Sequence, residues 1–454
     1  MTLLNKALTL LLALIFLSAA LCACGSSGQP ADTEEPGEDT VTEPEDTTAI
    51  SDETTEEPGR EKTPEEGDAY EYIPPEDGSF TVCGFDLSDY SLLIGPNAYS
   101  KKLQDELMSS LESSTGTKYY PMVTTSTVYD TEPKKEHEIL FGMNYQRNGM
   151  PEADYTKNCY GATADGTIYF RCPDAEVYGY VWRLFLEEFL GVVPGSGEKS
   201  AGCAINEFYR ELPSFDTNML AELGYTMVFK DDFEEDELDM DVWRNRGSGT
   251  SRNGYTAASQ VSVRDGNLIL RGEYLADGEY GEGWYSASVA LRKWYCRGYF
   301  EAYLKCSPYT VDGDFSSAFW IQGPNPYTAE QSRGGAGPGG AELDIMEIFD
   351  INDFHFGIWL TGVDGSTELS HEGGVHQTAD RVYEDYHKIA LLWDEDKYMF
   401  FFDGLLVNCT DFAYGTSGVE EEVIFSLGIA EETELTEDTV REMFVDYIQI
   451  WQKQ

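Results

Sequence analysis

"GGAELDIMEIFD", residues 339–350, sets Glu342, Asp344 and Glu347 into an otherwise apolar run of Leu343, Ile345, Met346, Ile348 and Phe349. Alternation of acid and aliphatic over 342–346 is the pattern of a strand, whose side chains point to opposite faces in turn. Glu342 and Asp344 then share a face, and the next residue on that face is Met346 rather than Glu347. One extra residue at Ile345-Met346, a β-bulge, rephases the strand and returns Glu347 to the side of the other two acids. Aliphatic flanks and broken alternation distinguish this stretch from a solvated strand face. Leu, Ile and Met between the acids also argue against a calcium loop, which alternates Asp, Asn and Gly. A helix would need a cap signal, and only "AGPGG" precedes.

The surroundings agree with a strand. From residue 225 onward, short runs rich in Val, Ile, Tyr, Phe and Trp follow one another with turn signals between them, among them "YTMVFKDDF", "SQVSVRDGNLILRGEY", "SASVALRKWY", "GYFEAYLK", "SAFWIQG", "HFGIWLTG", "YMFFFDGLLVN" and "MFVDYIQIWQK". Many strands in sequence with almost no helix predict one all-β sandwich over residues 225–454.

Residues 80–212 read differently, as a small α+β domain. "YSLLIG" and "EILFG" are strands, "AYSKKLQDELMSSLESSTG" is an amphipathic helix ending at a glycine, and "DAEVYGYVWRLFLEEFLG" is a second helix. "NCYGATADGTIYFRC" centres on Asp165-Gly166, a two-residue hairpin signal that places Cys159 opposite Cys172. A disulfide could span such a pair, and two ordinary buried thiols fit the same pattern. No catalytic constellation stands out here; a bland spacer and a carbohydrate-contacting module both fit.

The ends and the charge bound the partners. Lys6 precedes the apolar stretch "ALTLLLALIFLSAA", and small residues follow, so residues 1–24 read as an export signal. Leu21-Cys22-Ala23-Cys24 resembles a bacterial lipoprotein box, which would make Cys24 a lipidated first residue on the outer side of the cell envelope. Residues 25–79, almost entirely Glu, Asp, Thr, Pro and Gly, cannot bury enough surface to fold and read as an extended, disordered linker. A net charge of −53 excludes nucleic acid and anionic membrane surfaces as partners, leaving a lipid anchor as the route to a membrane. A monomer is expected.

The order of "FKDDF…W", "VSVRDGNLIL", "GYFEAYLK", "AFWIQG", "ELDIMEIFD", "WDEDKYMFFFDG" and "FVDYIQIWQK" resembles glycoside hydrolase family 16 over nearly all of residues 225–454. That resemblance implies a concanavalin-like β-jelly-roll with a cleft that cleaves internal β-linkages of a polysaccharide with retention, needing no cofactor. It assigns Glu342 as nucleophile, Asp344 as its helper and Glu347 as acid/base. Retention fits two carboxyl groups about 5–5.5 Å apart, one attacking and one donating a proton. Crowding should separate the three pKa values. Trp320, Trp284 and Trp359 are candidate sugar platforms, with Arg252 and Asn253 as polar sugar contacts. Many relatives have a histidine-aromatic pair after the motif, where this chain has "HFGIWLTG": His355 stands upstream and Trp359 at the second histidine position. The resemblance further implies a structural calcium near Asp232, a backbone oxygen of Gly266, and Asp446. The expected substrate is a β-1,3- or mixed β-1,3/1,4-glucan. A galactan hydrolase, an envelope transglycosylase and a non-catalytic carbohydrate-binding protein of the same fold are the alternatives.

Overall fold

Two antiparallel sheets face one another across a single large core, and the "ELDIMEI" run lies in the middle of one of them. In the computed structural model, residues 72–123, 135–193, 196–327, 337–361, 369–378, 381–412 and 415–453 are described. The expected export signal and lipidated Cys24, most of the expected linker, and residues 328–336 lie outside that set. The front sheet runs Trp243–Asn245, Gly283–Leu291, Glu422–Gly428, Ser316–Gln322, Glu342–Glu347, Asp353–Thr361, Leu369–Gln377, antiparallel throughout. The back sheet is organised around the long strand Val440–Lys453. Tyr225–Asp231 and Asn267–Leu275 pair with one side of that strand, and Gly298–Lys305 with the other. His387–Trp393, Tyr398–Phe402 and Leu405–Thr410 extend the sheet. The chain therefore forms the expected jelly-roll sandwich. Its inter-sheet core packs Leu270, Phe300, Leu304, Leu391, Trp393 and Phe400 against Phe319, Ile321, Leu343, Ile345, Val423 and Phe425.

The back sheet is buried on both sides, which is why "YMFFF" at 398–402 carries no polar alternation. Phe400 and Leu391 point into the sandwich, while Tyr299, Ala390, Leu392, Met399 and Phe401 point out into a second core. Residues 72–223 supply the other half of that core. Their main sheet has six strands in the order Met122–Val123, Ser91–Ile94, Glu138–Phe141, Ile168–Arg171, Cys159–Ala162, Phe208–Glu211. Helix Lys101–Thr115 is capped by Ser100, whose hydroxyl accepts from the Leu103 amide at 3.0 Å, and is closed by Gly116 at φ 77°. Its Leu103, Leu107 and Leu111, four residues apart, are all buried. Helix Tyr178–Phe185 continues through Leu186–Leu190 to Gly191 at φ 61°. Residues 72–454 make one compact unit, so the α+β module is cemented to the sandwich by a shared core. Truncating Phe401, stacked 4.7 Å from Phe215 across that joint, is expected to cost about 3–5 kcal/mol. Denaturant unfolding of Phe401→Ala against wild type checks this.

The Cys159–Cys172 pairing needs correction. Cys159 stands opposite Arg171 and Ala162 opposite Ile168, one residue out of the expected register. The loop contains three residues, Ala164, Asp165 and Gly166, with Gly166 at φ 85° and its amide donating to the Thr163 carbonyl at 2.8 Å. A three-residue loop with glycine in the left-handed region replaces the two-residue turn. A one-residue slip turns every side chain to the other face. Cys172 consequently enters the module core beside Phe170, and both cysteines are free thiols.

Candidate active site

The bulge is visible in the hydrogen-bond ladders on both sides of strand Glu342–Glu347. Asp344 pairs with Gly357 and Glu347 with His355, so three steps on one strand match two on the next. On the other side Trp320 pairs with Asp344 and Phe319 with Met346, which leaves Ile345 as the extra residue. Leu343, Ile345 and Met346 are all fully buried in the inter-sheet core. Two consecutive core residues, Ile345 and Met346, are what allow Asp344 and Glu347 to emerge on the same outer face. A regular strand would bury the second glutamate instead.

Around the carboxylates the front sheet lays out three cross-strand rows. Gln322, Glu342, Trp359 and His371 form one; Trp320, Asp344, Gly357 and Gly373 the next; Ala318, Glu347, His355 and Val375 the third. The middle row loses its side chains beyond Asp344. A Cβ on Gly357 would lie 2.8 Å from the His371 imidazole, so any side chain there would displace that ring. The His371 ring stacks on Trp359 at 3.8 Å.

The three acids are not equivalent. Glu342 and Asp344 are each 4% exposed, and Glu347 is half-buried. Burial raises the pKa of all three. Glu342 has the most groups opposing that rise: its Oε2 accepts from the Tyr327 hydroxyl and the Gln322 amide, and Arg246 and Arg252 add positive charge. Gln322 is fixed in turn by Arg246, whose Nε also reaches Glu422 at 3.0 Å and whose guanidinium lies 4.6 Å from the Trp320 ring. Asp344 is held well above the usual carboxylate range by burial and by the charges of Glu347 and Glu342, against which Trp359 Nε1 donates at 2.9 Å. Glu347 is pushed up to about 8 by burial and by Glu342, with Arg252 alone opposing. Glu342 is thus the group whose anion the site does most to solvate, while burial and neighbouring charge favour the protonated forms of Asp344 and Glu347.

Trp320, Trp359, His355 and Arg252 are therefore brought to the carboxylates. Trp320 is half-buried with Nε1 donating to the Ser426 hydroxyl at 3.1 Å, and His355, its imidazole pKa lowered by burial, stands beside Glu347. Arg252 and Asn253 form the exposed turn between Gly249–Ser251 and Gly254–Thr256, with Arg252 at φ 41°. Trp284 is not brought to the site. At 7% exposure it packs edge-on against Phe315 and Tyr274 in the core, where an apolar strand residue gains more from burial than from display. Of the residues expected around a calcium, Asp232 ion-pairs with Lys230 at 2.9 Å, and Asp446 is the extra residue of a bulge between the partners of Tyr303 and Leu304. Gly266 has the Glu234 carboxylate near it. Among the described residues no three acidic, His or Cys side chains gather to hold a metal, and no chemical step is routed through one.

Sequence reasoning missed Tyr327, Gln322, Arg246, Glu422 and His371. Gln322 follows Trp320 by two in "WIQ", and Arg246 follows Arg244 by two in "WRNR", so strand parity carried a signal for both. Tyr327, in a loop, carried none. Removing its hydroxyl takes away a hydrogen bond to a carboxylate worth about 1.5–3 kcal/mol. Tyr327→Phe is expected to lower kcat/KM about 10- to 100-fold and to move the acid limb of the pH profile upward, because the Glu342 anion loses a partner. A pH series of kcat/KM checks both.

No family model and no curated protein matches the chain. Solved structures similar to it include the catalytic domain of an endo-1,3-β-glucanase (laminarinase) from Thermotoga petrophila, at 19% identity over 51% of this chain and 98% of that one, with a TM-score of 0.42. LamAcat from Zobellia galactanivorans matches at 19% identity, 51% and 99% coverage and a TM-score of 0.42. A glycoside hydrolase family 16 endo-glucanase from Bacteroides ovatus matches at 21% identity, 49% and 99% coverage and a TM-score of 0.40. Likeness at that level assigns no chemistry; the side chains of the site have to.

Proposed function

We propose that the protein is a retaining, endo-acting glycoside hydrolase of the family 16 type, with a β-linked polysaccharide as substrate. One observation carries the reading: a bulge puts two glutamates on one face with an aspartate between them, Glu342 with hydrogen-bond donors and two arginines opposing its pKa rise and Glu347 pushed up to about 8. Glu342, its carboxylate oriented by Tyr327 and Gln322, attacks the anomeric carbon and forms a glycosyl ester as the glycosidic C–O bond breaks. Glu347 donates its proton to the departing oxygen, then takes a proton from the water that cleaves the ester, which restores both acids and retains configuration. Asp344, held by Trp359, takes up the proton or charge that two neighbouring acids cannot share cheaply. Trp359 with His371, and Trp320 under Arg246, give the face aromatic surface against which pyranose C–H groups pack.

A β-1,3- or mixed β-1,3/1,4-glucan is the substrate we infer, since the strong negative charge disfavours anionic polymers. Export through residues 1–24, anchoring at Cys24 and an extended linker would place the hydrolase on the outer side of a cell envelope. The test is reducing-end release from laminarin, lichenan and agarose. Release from a glucan supports the reading. Equal, zero release by wild type and Glu342→Gln on all three defeats it in favour of a binding protein.

A further inference from the structure

Strand Leu369–Gln377 has two sides. His371 faces the carboxylate rows, while His376, of opposite parity, faces the N-terminal module. There it lines a pocket of about 410 Å³ where residues 155–158 and 211–214 approach the turn at 403–404. His387 lines the same pocket. His376 Nδ1 lies 3.0 Å from Asp174 and His387 Nδ1 lies 2.7 Å from Asp403, and the two imidazoles flank the Phe402 ring at 5.1 and 4.7 Å.

Each Nδ1 lies against its carboxylate, which leaves Nε2 as the remaining polar atom of each ring. An amide joins them. Asn158, 2% exposed, donates Nδ2 to the Leu406 carbonyl at 2.8 Å, which fixes its orientation, and its buried Oδ1 has no partner. A buried acceptor without a donor is costly, and it marks a place where a ligand or water belongs. The other walls are mixed: Phe402, Leu405 and Leu406 are apolar, while Thr156, Ser214, Gln377 and Thr378 bring hydroxyl and amide groups. The charged groups of the lining are paired, Lys157 with Glu211 at 3.0 Å and Asp403 with His387 at 2.7 Å. Polar atoms of both signs beside an aromatic and aliphatic patch suit a neutral molecule whose hydroxyls both donate and accept on a C–H framework.

We propose that this pocket is a second saccharide-binding site, separate from the carboxylate face, that takes pyranose units of a polysaccharide through their hydroxyls. The chain's five histidines make it measurable by NMR of the imidazole Cε1–H signals. His355 and His371 report the carboxylate face, His376 and His387 report the pocket, and His137 is a distant reference. Titrating the Glu342→Gln chain with laminaritetraose and with cellotetraose should shift the His376 and His387 signals along a saturation curve of their own. Tyr155→Ala, which removes an exposed wall of the pocket, should weaken that curve at least tenfold and leave the His355 and His371 curve in place. His387→Phe, which keeps the packing on Phe402, should do the same to the His376 signal.

The proposal is overturned if the His376 and His387 signals stay fixed up to about 10 mM of either tetraose, where even a millimolar site fills. It is also overturned if ammonium chloride moves them and the tetraoses do not. Movement of this pair with His355 and His371 fixed supports the second site while counting against the hydrolase reading, so the two fail separately.

Discussion

Glu342→Gln is expected to lower kcat on the order of 10⁴-fold or more on any polymer the protein cleaves, with the fold intact. Glutamine keeps the volume and an oxygen that can accept from Tyr327 and Gln322, so the local hydrogen bonds survive. What disappears is the negative charge that attacks carbon. Because burial already disfavours that charge, the variant should unfold at the same temperature as wild type or higher. Glu342→Ala opens space on the attacking side. Added azide should then restore part of the activity and give a product of inverted configuration, since a single displacement replaces two. Loss of activity without azide rescue or with a lowered melting temperature would assign Glu342 to structure rather than attack.

Glu347→Gln should lower kcat about 10²- to 10⁴-fold on polysaccharide, the usual contribution of a general acid. The loss should be far smaller on an aryl glycoside whose leaving group is acidic and needs no proton. Two pH effects accompany it. Glu347 has to be protonated to act, and its pKa of about 8 sets the alkaline limb of the wild-type profile, so activity should fall as pH rises through 8. The variant loses that limb. For stability the sign follows from proton binding: between the unfolded value of 4.5 and about 8 the folded chain holds a proton that the unfolded chain releases. Stability is therefore fully present below 4.5 and declines as pH rises through 8, and Glu347→Gln should flatten that decline. Glu421 contributes in the same direction. Burial pushes it up to about 8 while it accepts from the Ala341 amide at 2.8 Å, immediately before strand Glu342–Glu347. Some pH dependence should consequently persist in Glu347→Gln.

The bulge was legible because it leaves a mark in one dimension: a three-residue step between acids in a run of period two. The sandwich was legible for a similar reason, as a succession of short alternating strands. Burial of the back sheet on both faces was written in "YMFFF" and "KIALLW", although nothing in those runs names the covering module. The hairpin at 163–167 misled because Asp-Gly serves both two-residue and three-residue loops, and the choice between them sets the register of both cysteines. Trp284 misled because a tryptophan near a motif looks the same whether it displays its ring or buries it. Tyr327 and His371 reach the carboxylate rows from a loop and from a neighbouring strand. Such convergence is a property of tertiary pairing, and local sequence pattern does not encode it.

The central claim is that Glu342 forms a covalent bond to sugar. A 2-deoxy-2-fluoro glucosyl donor with a good leaving group slows breakdown of the ester more than its formation, so the intermediate accumulates. Intact mass spectrometry followed by peptide mapping should find one glycosyl unit per chain, attached within the peptide that carries residues 339–350 and located by fragmentation on Glu342. A label on Asp344 or Glu347, or turnover of the donor with no label on any carboxylate, would contradict the account.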